Sequence, residues 1–170
     1  VPATSIELAR PQEPVPDWLG SRTLALGQGS WQLLGRICRV PPAAPIGRVE
    51  VSLAGHAGRT HLDAAEQQVP ALGWVTRHRD LHQALQAAID GQPFCSPDGP
   101  ALDAAQSVIV NADGDTGADA RVRDFDQTAV LAELETGLPD QRCAFERFTP
   151  QGPLAMLPLP EPRRYSLVWC

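Results

Sequence analysis

Residues 143–170, "CAFERFTPQGPLAMLPLPEPRRYSLVWC", hold three short apolar runs separated by turn residues. The runs at 144–149, 154–157 and 165–170 carry aromatic or branched side chains and are bounded by Gly, Pro or charge, which marks strands joined by tight turns. Together with 127–134, which alternates Thr128, Val130 and Ala132 against Ala129, Leu131 and Glu133, they are expected to form an antiparallel meander. Parallel pairing would need crossovers of about a dozen residues or more. Leu154 and Met156 share one face of their strand and Ala155 and Leu157 the other, so both faces are apolar. This fits either a core strand covered on both sides or the wall of a pocket. The last run reaches the final residue. A bare strand edge invites aggregation unless paired or covered, so further chain is expected after Cys170 and, because Val1 is not Met, before it.

Upstream, the periodicity changes. "RTLALGQGSWQLLGRI" (22–37) is helical in its second half, with Leu33, Leu34 and Ile37 proposed as an apolar face. "IGRVEVSL" (46–53) alternates as a strand does. "RDLHQALQAAI" (79–89) places Leu81, Leu85 and Ile89 at helical spacing, with Asp80 at the start to oppose the dipole and Gly91 just beyond the end. "TSIEL" (4–8) reads as a short strand, 11–16 as a Pro-rich loop, 95–106 as a loop, and 107–122 as a hairpin turning at Asp113-Gly114. The fold class is therefore α+β: mainly antiparallel strands with a few helices.

Composition narrows the function classes. A chain of 170 residues, 43% hydrophobic, can bury a core. Its 17 prolines, against an average usage of roughly 5%, favour turns over long helices. The net charge of −6, with every cation an arginine, leaves no basic footprint for nucleic acid. No apolar run approaches the ~20 residues of a membrane-spanning helix. The first fourteen residues lack the charged and apolar regions of a signal peptide. The four cysteines, widely spaced and without a Cys-x-x-Cys pair, read as reduced thiols of a cytoplasmic protein.

The motif candidates fail on spacing. In "NADGDTGAD" (111–119), a calcium loop starting at Asn111 would need Gly and Glu where Thr116 and Val122 stand. His78 and His82 could share a metal but lack a third ligand, and no metal site is expected. "GQGSWQ" has Gln32 where a dinucleotide-binding turn needs its third Gly. No nucleophile elbow is present, and no catalytic residue can be assigned.

"AFERFTPQGPLAMLPL" (144–159), followed by "SLVW" (166–169), closely resembles a signature region of the flavin-dependent aromatic hydroxylases of ubiquinone biosynthesis, relatives of 4-hydroxybenzoate hydroxylase. Three other segments resemble pieces of that family in the same order. "TSIEL" is similar to the end of the second strand of its FAD-binding Rossmann unit. "SRTLALGQGSWQLLGRI" is similar to its "GRAIAL" segment and following helix. "LGWVTRHRDLHQAL" is similar to its "LGYVVENRxLxxAL" pattern, with Arg77 and His78 in place of Glu and Asn.

The resemblance implies a substrate-binding sheet over 41–170, remnants of a Rossmann-type FAD-binding region over 1–40, and cofactor contacts at Glu7, Arg22 and Arg79. It also implies that the turn formed by Gly152, Pro153, Leu154 and Ala155 faces substrate. The intact parent would use FAD, with NAD(P)H as reductant, to hydroxylate an aromatic or prenylated phenol, at or near the inner membrane surface and beside other quinone-biosynthesis proteins. The family's Gly-rich turn and its later Gly-Asp segment are missing, so this chain alone is expected to hold no FAD and to be inactive. The competing role is a non-catalytic lipid-binding or assembly module of a quinone-biosynthesis complex.

Overall fold

The computed structural model describes residues 16–90, 92, 121, 123–137 and 142–170. The chain divides into two units, Val1–Gln12 with Gly91–Gln127, and Glu13–Asp90 with Thr128–Cys170. In the first, the Arg123 guanidinium lies 5.0 Å from the centre of the Phe125 ring, and the Asp126 amide donates to Asp124 Oδ1 at 2.8 Å. The strand read at 4–8 and the hairpin read at 107–122 fall outside the described residues, apart from Arg121.

The second unit carries twelve elements among the described residues: α1 (Asp17–Ser21), β1 (Thr23–Gly27), α2 (Gln28–Ile37), β2 (Ala44–Ile46), β3 (Arg48–Leu53), β4 (Arg59–Asp63), β5 (Gly73–Arg77), α3 (His78–Ile89), β6 (Val130–Glu135), β7 (Cys143–Thr149), β8 (Gly152–Pro158) and β9 (Arg164–Trp169). They form an antiparallel three-stranded sheet, β1-β5-β2, and a six-stranded sheet, β4-β3-β7-β8-β9-β6. The fold is α+β, as the alternation of short strands indicated. No helix among the described residues is long and apolar enough to cross a membrane.

β7, β8 and β9 are a sequential antiparallel hairpin stack, but the expected four-strand meander is not what forms. β6 pairs with β9, from Val130↔Trp169 to Glu135↔Arg164, at the far edge of the sheet. β7 instead takes β3 as its second neighbour, in parallel. The long chain between β3 and β7 permits parallel pairing. β6 and β7 can be close in sequence because the end of one and the start of the other share an end of the sheet, only about three strand spacings, or ~14 Å, apart. β9 is consequently an interior strand, hydrogen-bonded on both sides.

The core lies between the sheets. Ala44, Ile46 and Val75 of the small sheet pack with Ala144 of the large one and with Leu159 just beyond β8, ringed by Val49, Leu72 and Leu157. Fully enclosing side chains such as Leu159 and Val75 contributes about 1.5–3 kcal/mol each.

The helix at 28–37 forms, but with a different face inward. Leu33 and Ile37 are 60% and 59% exposed, while Trp31 is buried and stacks on Trp74 at 5.2 Å. The Trp74 indole N–H also donates to Gln28 Oε1 at 2.8 Å. Trp31 thus turns inward with the partly buried Leu34, while Leu33 and Ile37 face solvent, and the stacked ring supplies the helix's main anchor.

Candidate functional site: a polar seam and its cavity

β5 runs Gly73–Arg77 and is buried along almost its whole length, ending in an arginine that is only 7% exposed. A cation so enclosed requires partners. The Arg77 guanidinium donates through Nη1 to Glu133 Oε1 and through Nη2 to Glu133 Oε2 at 3.3 Å, and Nη2 also reaches Glu161 Oε1 at 3.2 Å. Arg164 Nη1 approaches Glu133 Oε2 at 3.5 Å. The hydrogen bonds from Arg77 hold the Glu133 carboxyl below the usual carboxylate range, despite the opposing effect of burial. The same bond from Glu133 raises Arg77 further, so both groups are charged.

Strand register explains why these side chains meet. Residues directly opposite one another in an antiparallel pair project from the same face. Thr23 lies opposite Arg77 in the small sheet, and Glu133 lies opposite Ser166 in the large one. The two pairs face each other: Arg77 binds Glu133, and the Thr23 and Ser166 hydroxyls are 2.7 Å apart. The result is a four-cornered polar seam between the sheets.

Beside the seam is a cavity of about 300 Å³ lined by Trp18, Arg22, Thr23, Leu131, Glu133 and Ser166, among others. Its lining combines the exposed Arg22 side chain, the Glu133 carboxylate, the hydroxyls of Ser21, Thr23 and Ser166, and the apolar Trp18, Leu131 and Ala132. Apolar side chains with a few polar groups among them are the usual lining of a small-molecule site. Ser21 also lines it, its hydroxyl donating to the Trp18 carbonyl at 3.1 Å.

Arg22 therefore lines this cavity. It follows α1 directly, and its carbonyl accepts the His78 amide at 2.8 Å, tying the starts of β1 and α3 together. Arg79 lines a different cavity, of about 250 Å³, with Asp17, Gly20 and His82. Its side chain is mostly exposed and 3.9 Å from Asp80. Arg22 and Arg79 are thus brought to two cavities flanking α1, not to one. Glu7 lies outside the described residues. Gly152, Pro153, Leu154 and Ala155 all lie in β8 and do not line the Arg22 cavity. Register puts Ala155 opposite Val168, itself opposite Leu131, so Ala155 shares a sheet face with the cavity wall while Leu154 points the other way. The Nδ1 atom of His78 is buried with no hydrogen-bond partner among the described residues.

Two of the further hollows formed by described residues are informative. One, of about 400 Å³, includes Arg48, Asp63, Arg142 and Cys143. Arg48 is spent on Asp63 at 3.0 Å, Arg142 Nη2 donates to the Pro70 carbonyl at 3.2 Å, and burial pushes the Cys143 thiol up. The other is an open groove between Val40-Pro41-Pro42 and the alanines of α3.

Sequence reading missed Arg77, Glu133, Glu161, Thr23 and Ser166 as a group. Arg77 stood out only as a departure from the resembled pattern. Its partners lie 56 and 84 residues away in sequence, a separation that no local spacing rule spans.

No family model matches the chain. It is 30% identical over 167 residues to ubiquinone hydroxylase UbiL of Rhodospirillum rubrum, a match that takes in 83% of this chain and 37% of the relative. The chain thus spans well under half the length of that relative, and its likeness is to a ubiquinone hydroxylase.

Proposed function

We propose that this chain is the middle, substrate-binding portion of a flavin-dependent monooxygenase that hydroxylates a phenolic ring, prenylated or simple, in ubiquinone biosynthesis. The observation that carries this reading is the likeness to ubiquinone hydroxylase UbiL over 83% of the chain. In this reading residues 1–40 belong to the cofactor-binding region and 41–170 to the substrate sheet.

The residues around Arg22 fit part of a flavin nucleotide. A cavity of about 300 Å³ holds one ring system and not a dinucleotide. Arg22 would hold an anionic or carbonyl edge, the Ser21 hydroxyl oxygen, whose proton goes to the Trp18 carbonyl, would accept a hydrogen bond, and Leu131 and Trp18 would cover the ring. When bound, the reduced flavin supplies the oxygen activation that the side chains here lack. The chain's own contribution is orientation and exclusion of water: Ala155, Val168 and Leu131 form an apolar row on the cavity side of the large sheet.

The experiment is deletion of the gene in its source organism, with mass spectrometry of the quinone pool. A quinone precursor lighter by one oxygen atom should accumulate and ubiquinone should fall. An unchanged quinone profile would remove the reading.

A further inference from the structure

We infer that Arg77 is a positioning residue: by gripping Glu133 and Glu161 it fixes the edge of the six-stranded sheet against β1 and β5, and so sets where Glu133, Ser166 and Leu131 stand in the cavity wall. The inference goes beyond the proposed function and does not rest on it.

The apolar core is made by small and mid-sized side chains, Ala44 and Ile46 of β2 and Val75 of β5 against Ala144 of β7 and Leu159 just beyond β8. Apolar contact is non-directional and sets relative orientation less sharply than paired hydrogen bonds do. The cavity lies between β1 and the β9-β6 edge. There the guanidinium fork meets the Glu133 carboxylate with two donors, and paired bonds from a planar fork fix angle as well as distance. Arg77 carries a third bond to Glu161, in the connection between β8 and β9, so the grip takes in both β6 and that connection. The neighbouring Thr23–Ser166 contact is a single bond between two rotating hydroxyls and cannot set orientation by itself. Glu133 and Leu131 project from the same face of β6, so a displacement of Glu133 carries Leu131 with it.

The test uses the full 170-residue chain, isotope-labelled, with through-space contacts read by nuclear magnetic resonance. The variants are Arg77→Lys, whose ammonium keeps the charge but loses the fork, and Glu133→Gln. Arg77→Ala is included but can fail to fold, and the other two keep the question answerable. In both conservative variants the Thr23–Ser166 side-chain contact should be lost or fall several-fold in intensity, while contacts of Ile46 and Val75 with Ala144 persist. Glu161→Gln, which leaves the Arg77–Glu133 fork in place, should retain most of the Thr23–Ser166 contact. A Thr23–Ser166 contact unchanged in Arg77→Lys and Glu133→Gln would overturn the inference. So would loss of the seam and core contacts together, because Arg77 would then be supporting the whole interface and not positioning the cavity wall.

Discussion

Gly152 opens β8 at φ +113°, and a Cβ built there would lie 1.7 Å from the Cys170 carbonyl oxygen. Neither strain nor clash can be relieved by rotating a side chain, since the obstacle is backbone. Gly152→Ala should therefore destabilise by at least about 2 kcal/mol, the upper range for a residue forced into a disfavoured region. Gly29, in the first turn of α2, has nothing within 4 Å of its Cβ position. Gly29→Ala should be neutral or stabilising, by up to about 1 kcal/mol, through helix propensity. Urea unfolding of both variants checks the pair, and equal effects would show that the β8 turn relaxes freely. The sequence announced the turn through Gly-Pro but not the carbonyl that crosses it, because that neighbour comes from another strand.

The helices and strands divide into those with a local signature and those placed by partners. α3 could be read from Leu81, Leu85 and Ile89, all partly buried in the structure. For α2 the aliphatic pattern misled: Trp31 carries the packing and Leu33 faces solvent. Trp31→Ala should cost about 3 kcal/mol, in the range for truncating a buried aromatic residue, whereas Leu33→Ala should stay within about 0.5 kcal/mol. Comparable losses in thermal unfolding would return the apolar face to Leu33. β6 was legible as a strand but its partner was not, since alternation says which face is apolar and nothing about which strand lies alongside.

The β6 edge also gives a pH dependence. The folded-state pKa of Glu133 is depressed by Arg77, so the stabilisation it provides is present above the ordinary glutamate value of about 4.3 and is lost as pH falls through the lower folded value. Asp63, depressed by the Ala65 amide and then by Arg48, acts with the same sign. Melting temperature should therefore drop on acidification below about pH 5. Glu133→Gln should melt lower than wild type at neutral pH and show a shallower acid limb. An unchanged acid limb would assign the dependence to Asp63 or other carboxylates.

For the molecule as a whole, the α+β class was readable because turn residues and two-residue alternation recur through the chain, and the hydroxylase likeness because "AFERFTPQGPLAMLPL" is a continuous segment. The seam was not readable, because it is assembled from β1, β5, β6 and β9, whose order in the sheets is fixed by pairing over long separations. The flavin reading concentrates on Arg22, at the cavity, in contrast to Arg36, which is exposed at the end of α2. The decisive measurement supplies the full-length gene product with FAD, NADH and a short-chain prenylated phenol under isotopically labelled dioxygen, and follows the phenolic product by mass. The proposed function predicts one labelled oxygen atom in the product of the wild-type protein, a yield at least about tenfold lower for Arg22→Ala, the loss expected from removing one charged contact worth roughly 1.4 kcal/mol or more, and an unchanged yield for Arg36→Ala. A product with unlabelled oxygen, no hydroxylation by the wild-type protein, or equal yields from all three proteins would contradict it.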